Sequence, residues 1–347
     1  FIFKHSIEIH SNENLNESQV IADTTIQESN LTYPTDGKLA IKIINHLHKI
    51  VKVENIKLRR SYIKEIKQHR INLRFFRHPK KIIKAKASMK RLRTIAKTIL
   101  RDIDRKFGDN LELHNKYATK FYLYIRVLLQ EKNTKNKIYS LHEIDAYAVN
   151  KGKDHKGYEY GTKASVVTTK NSGIIVGVSA HRENEHDSKT LKLALENTIS
   201  NLGSKTINEV ICNRGYRGSK QIIINNETVI DISIPSNQQK KDTPEQINIK
   251  KEKFRRRAAI EPIIGHLKSD HRMQRNYLKG FIGDQINLLL AATAFNLKKW
   301  MNIYFYAFFT GNLSLLKEAY QQLQHQKELI MFLLQLKITM KFSNLDY

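Results

Sequence analysis

The sequence predicts an α/β protein, a mixed sheet flanked by helices with a basic helical insertion after its first strand. Three observations predict it. A β-branched run, SQVIADTT, reads as a strand and is followed by a long stretch of helical periodicity. The segments YEYGTKASVVTT and GIIVGVSAHRE, joined by KNSG, read as a hairpin. Helix and strand patterns then alternate, which suits a sheet with helices on its faces.

The elements follow in order. Residues 1–36 hold the first core strand, which ends in an acid, Asp23. Residues 37–140 form the basic helical insertion, with apolar residues at helical spacing in Ile63, Ile66, Phe75 and Phe76, then Ile82, Ile83, Leu92, Ile95, Ile99 and Ile103. Pro79 must break or begin a helix there. Residues 141–300 supply the rest of the core: the hairpin, a helix DSKTLKLALENTISNL capped by Asp187, a buried strand NEVIC, and a further strand ETVIDISIP. The basic amphipathic helix EKFRRRAAIEPIIGHLK follows, kinked near Pro262, and residues 301–347 are a helical extension.

Composition bounds the partner. The 347 residues are 40% apolar, enough for a large core, and carry 60 Lys and Arg against 33 acids, a net charge of +27. Such a charge favours a polyanion. Between Lys42 and Lys106 stand 22 cations and 4 acids, so two-thirds of the net charge lies in this one segment. Solvated helix faces usually mix both signs, which makes phosphate contact by Arg74, Arg77, Lys80 and Lys81 the better reading. No apolar run reaches the roughly 18 residues needed to span a bilayer. The N-terminus has no signal-peptide pattern, and the single Cys212 sits in an apolar run, so a reducing cytoplasm is expected. The chain begins at Phe1, and its natural start is expected upstream.

Three residues invite a metal-site reading: Asp23 and Asn213 at strand ends and Glu261 on the late helix. Carboxylates so placed can hold two Mg²⁺ ions about 4 Å apart on a phosphodiester. Each also has a plain explanation, since Asp23 can cap a turn, Asn213 can make an Asx-turn, and Glu261 can pair with Arg257 one helical turn back. Arg214 and Arg217 form an exposed basic turn beside Asn213. His181 and His186 in HRENEHD lack Cys partners and helical spacing, and read as a surface loop.

The blocks VIADTTIQESNLTYPTD, KIYSLHEIDAYAVNKGKDHKGYEYGTKASVV, CNRGYRG and FRRRAAIEPIIGHLKSDHRM resemble bacterial insertion-sequence transposases of the Asp-Asp-Glu kind. That resemblance implies a ribonuclease-H-like core, two Mg²⁺ or Mn²⁺ ions, and cleavage and strand transfer of double-stranded DNA at element ends. It implies catalytic and metal-binding roles for Asp23, the residue at 213, and Glu261. DNA contacts would come from Arg257 and Lys268 beside the metals, from Arg214 and Arg217, and from the insertion. A homodimer on DNA, at the bacterial nucleoid in the cytoplasm, is the expected working form. The family's Tyr-Arg-Glu-Lys signature reads here as Phe254, Arg257, Glu261 and Lys268.

The family ordinarily carries Asp where this chain has Asn213. An amide oxygen can ligate Mg²⁺ but brings no charge, so activity is expected to be impaired, and further by any N-terminal truncation. Asp187 and Asp231 are conceivable substitutes. The rival reading is a catalytically dead DNA-binding protein derived from a transposase. An RNA-binding protein of ribosomal type fits less well, because the apolar core is too large for it.

Overall fold

A computed structural model describes residues 1–10, 15, 17–131, 133–150, 152, 157–203, 207–218, 220–225, 228–234, 242–310 and 321. Most of the 301–347 extension therefore lies outside the described residues.

Strand β1 (Gln19–Glu28) lies inside a mixed sheet, where it pairs antiparallel with β3 (Tyr158–Thr169) and parallel with β5 (Glu209–Cys212). Strands β2 (Tyr147–Asn150) and β4 (Ile175–His181) pair antiparallel with successive parts of β3. Beyond β5, β7 (Thr228–Ser233) runs parallel to it and holds β6 (Gln221–Ile224) antiparallel. The expected mixed sheet is present, with β2 and β6 as short additions that the sequence pattern does not separate from their neighbouring turns.

Register decides what each face carries. Ile21 pairs with Ile211, and both pack against Ile260. Side chains alternate along a strand, so Asp23, two residues past Ile21, shares that face. Asn213 follows β5 with extended backbone, φ −80° and ψ 177°, and continues the same alternation. Thr24 points the opposite way, toward helix α6 (Asp187–Leu202). Close approach of α6 to the sheet depends on Gly177, where a Cβ would stand 2.0 Å from Thr198 Oγ1.

On the Ile21 face two helices meet end to end, the first of them strongly basic. Helix α7 (Pro244–Ala258) starts with a reciprocal cap between Thr243 and Gln246 and carries Pro244 in its first turn. It breaks at Ala259, and α8 (Ile260–Ser269) continues. Pro262 explains the break, since its ring excludes the carbonyl of Ala258 four residues back and it has no N–H to offer. The final helix of the described core, α9 (Gly280–Phe309), crosses β4 and α1 (Ile2–Glu8). Its fully buried Asn296 bonds to the backbone of Ile175 in both directions, accepting at 3.0 Å and donating at 2.8 Å.

Between β1 and β2 stand α2 (Asp36–Val53), α3 (Ile63–Asn72), α4 (Ile82–Phe107) and α5 (Leu111–Leu129). Thr35 and Asn110 cap α2 and α5 through their side-chain oxygens. Leu39, Ile43, Ile44 and Leu47 of α2 meet Leu92, Ile95, Ile99 and Ile103 of α4 and Tyr117, Phe121 and Tyr124 of α5 in a core of their own. The helical spacing in this region does not bury every apolar residue, because Ile63 and Ile83 remain exposed. Arg74, Arg77, Lys80 and Lys81 lie exposed around the turn that holds Pro79.

Candidate active site at the end of the central strands

Asp23 lies where β5 has ended and β1 runs on, so its carboxylate faces the turn that follows β5 instead of another strand. In that turn Asn213 is in direct contact with it. The amide Nδ2 donates to Asp23 Oδ1 at 2.7 Å, and the Thr24 N–H donates to the same oxygen at 2.8 Å. The amide oxygen is occupied elsewhere, accepting from the Gly215 N–H at 2.7 Å as the cap of a short 3-10 turn, Arg214–Tyr216. Asn213 thus makes the Asx-turn and contacts the acid at once. It presents hydrogen to Asp23, in the position where a ligand would present oxygen to a cation.

Glu261 stands on α8 directly after Ile260, the residue packed on Ile21 and Ile211, so the helix is fixed on the Asp23 face. Its carboxylate is 59% exposed and pairs with Arg257 Nη2 at 2.7 Å. The one-turn ion pair is therefore formed. Arg214 and Arg217 are exposed on the turn after β5, and Lys268 is half-buried at the end of α8. Nothing is described of the Phe254 side chain.

Asp187 occupies a different place from the one expected. His186 caps α6, its Nδ1 accepting from the Ser188 N–H at 3.4 Å, and Asp187 is freed for the sheet. Its Oδ1 accepts from Thr24 Oγ1 at 2.9 Å and from Lys163 Nζ at 3.0 Å. A Cβ on Gly215 would meet Asp187 Oδ2 at 2.8 Å and Asn213 Oδ1 at 2.9 Å, so these two oxygens are at most 5.7 Å apart and any larger residue at 215 would push them aside. Lys163 is a buried cation in the middle of a buried strand, and it is met there by the Asp187 carboxylate. His181, expected on a surface loop, is instead the buried last residue of β4, bonded through Nε2 to Ser165 Oγ at 2.8 Å. Burial and the Lys163 charge lower its pKa to about 4. Beneath Asp23, Cys212 is buried and free, and burial together with the Asp23 charge pushes its thiol up.

These residues do not fit a pair of Mg²⁺ ions as they stand. Among the described residues no three acids, histidines or cysteines stand close enough together to hold a metal ion. A metal at Asp23 Oδ1 would have to displace the amide hydrogen, and turning the amide to offer its oxygen would strip the Gly215 N–H of its acceptor.

An acid on an inner strand, a basic turn beside it and a helix packed over it make up the site of this α/β protein. The family is specific. Residues 132–297, just under half of the chain, match the model of the transposase DDE domain, which supports a DDE-type transposase. Asn213 and Glu261 fall inside the matched segment, whereas Asp23 and helices α2 to α5 precede it. No curated protein and no solved structure matches the chain. No helix among the described residues is long and apolar enough to cross a membrane.

Proposed function

We propose that the chain is a DNA-binding transposase whose catalysis is impaired at Asn213. In this reading Asp23, residue 213 and Glu261 form the catalytic set of a ribonuclease-H-like core that cuts element-end DNA and transfers its strand to a target, with Mg²⁺ or Mn²⁺ in the intact family member. The sheet, with its first strand inside and helices on both faces, supports the core assignment. The observation that carries the impairment is the 2.7 Å hydrogen bond from Asn213 to Asp23, which supplies from within the chain what a cation would otherwise supply.

The test is cleavage of element-end duplex with Mg²⁺ or Mn²⁺ by the chain and by Asn213→Asp. A gain of about tenfold or more in the variant is expected, since changes in the shell around a metal cost 10–100-fold. Equal rates would show that the amide is no defect. DNA bound by both proteins and cut by neither would favour the second reading, a dead DNA-binding derivative. Duplex contacts by the insertion, and dimerisation on DNA, belong to both readings.

A further inference from the structure

At the end of α8 the chain builds a groove of which the catalytic reading uses only Lys268. Glu28, Ser29 and Leu31 line one wall and Lys268, Ser269, Arg272, Gln274, Arg275 and Tyr277 the other, around an open volume of about 660 Å³. Three cations face one acid there. Tyr277 is 64% exposed, an aromatic ring offered to solvent beside the guanidinium groups.

The loop that carries these groups is held firmly. Met273 and Asn276 are buried. Met273 N–H donates to Leu267 O at 3.0 Å, Asn276 N–H to Glu28 O at 2.7 Å, and Asn30 N–H to Asn276 O at 2.9 Å. The Asn276 side chain donates to Asp284 at 2.7 Å. At the turn out of α8, Arg272 adopts φ 59°, a conformation natural to glycine and strained for other residues.

We infer that this groove binds an unpaired stretch of a DNA strand, with Lys268, Arg272 and Arg275 on phosphates and a base stacked on Tyr277. The inference rests on the DNA-binding function proposed above and adds a substrate form to it. A volume of this size accommodates small organic molecules, hence about one or two nucleotides of one strand and not a duplex. Aromatic rings beside cations on a fixed backbone are what single strands bind, because every base has a face to stack while the cations follow the phosphates. One Arg275 N–H is used on Leu31 O at 3.3 Å, which orients the guanidinium and leaves its other donors for a phosphate. Glu28 lies five residues past Asp23 on β1, about 17 Å along the strand, so the groove would hold DNA about five nucleotides from the bond at Asp23.

The test compares a labelled blunt duplex with the same duplex bearing a ten-nucleotide unpaired end, titrated with the full chain at low salt. The unpaired end should tighten binding about tenfold or more. Tyr277→Ala and Arg272→Gly should each remove most of that gain while leaving blunt-duplex binding unchanged, and Tyr277→Trp should keep it. Arg272→Gly should melt no lower than the parent, which separates a missing DNA ligand from a damaged fold. Equal affinity for the two DNAs, or a gain that survives both variants, overturns the groove assignment alone. Failure to bind any DNA at low salt overturns the proposed function together with it.

Discussion

At residue 213 the choice between an amide and a carboxylate reverses the sign of one interaction. The Asn213 amide donates to Asp23, whereas an aspartate would place a second negative charge 2.7 Å from the first. Two carboxylates in one site cannot both ionise cheaply, and one of them titrates high. Without added metal, Asn213→Asp should therefore be less stable than the parent at pH 8, by about 2 kcal/mol for a pKa raised by one to two, and should regain stability as the pH falls toward 5. Urea melts at the two pH values check this, and equal stabilities at pH 8 would mean that the pair separates on substitution. Asn213 and Glu261 stand out in the sequence because a strand end and a basic helix mark them, and Asp23 because it is an acid after a β-branched run, although β1 continues past it to Glu28 and the expected strand end is not there. Asp187 does not stand out. Its position ahead of an amphipathic helix reads as a cap, and only the fold brings Lys163 and Thr24 to it.

At the scale of the element, β4 shows how a strand is held from beside and behind. Asn296 of α9 bonds both backbone groups of Ile175, and His10 Nε2 bonds the Asn296 carbonyl at 3.2 Å. Asn296→Ala would leave two buried backbone groups unpaired, at roughly 1–3 kcal/mol each, so a loss of about 3 kcal/mol is expected in chemical denaturation. A loss below about 1 kcal/mol would show that water or a neighbouring side chain takes over. His10 and His181, near opposite ends of β4's surroundings, are both buried with pKa lowered to about 4, mainly by desolvation. Both rings are neutral in the fold, and the unfolded chain takes up protons below pH 6.5 that the folded chain refuses until about pH 4. Stability contributed by these rings is complete above pH 6.5 and falls between 6.5 and 4, by up to about 3 kcal/mol for each. His181→Gln should flatten that part of the profile. The hairpin β3–β4 is plain from its β-branched runs, but nothing in HRENEHD says that its first histidine is inside. Burial there follows from Ser165 across the hairpin, a partner that only the register supplies.

Over the whole molecule the dominant quantity is charge. Arg74, Arg77, Lys80 and Lys81 are exposed on the insertion, and neutralising all four should flatten the dependence of log K on log salt for duplex DNA by up to about 0.9 for each phosphate they neutralise. An unchanged slope would put the duplex on another surface. The concentration of cations is legible directly, because charge needs no fold to be counted. The mixed sheet is legible as well, through strand runs alternating with amphipathic helices. Strand order is not, since the partners of β1 are set by pairings over 130 to 190 residues of chain, and no local pattern encodes them.

The helical insertion has its own core, and that has a consequence in time. Gln19 pairs with Glu209, so β1 cannot complete its neighbours until most of the chain is available, while α2, α4 and α5 find each other within about 90 residues. Closing the longer loop comes late and slowly. In refolding from denaturant, amide protection should rise first in α2, α4 and α5 and only afterwards in β1 and β5, as pulsed hydrogen exchange would read. A single phase for all five elements would mean that the insertion waits for the sheet. If the insertion does lead, a nascent chain whose residues through 140 have cleared the ribosome already displays the folded basic helices, and the DNA surface proposed for them is complete before the sheet exists.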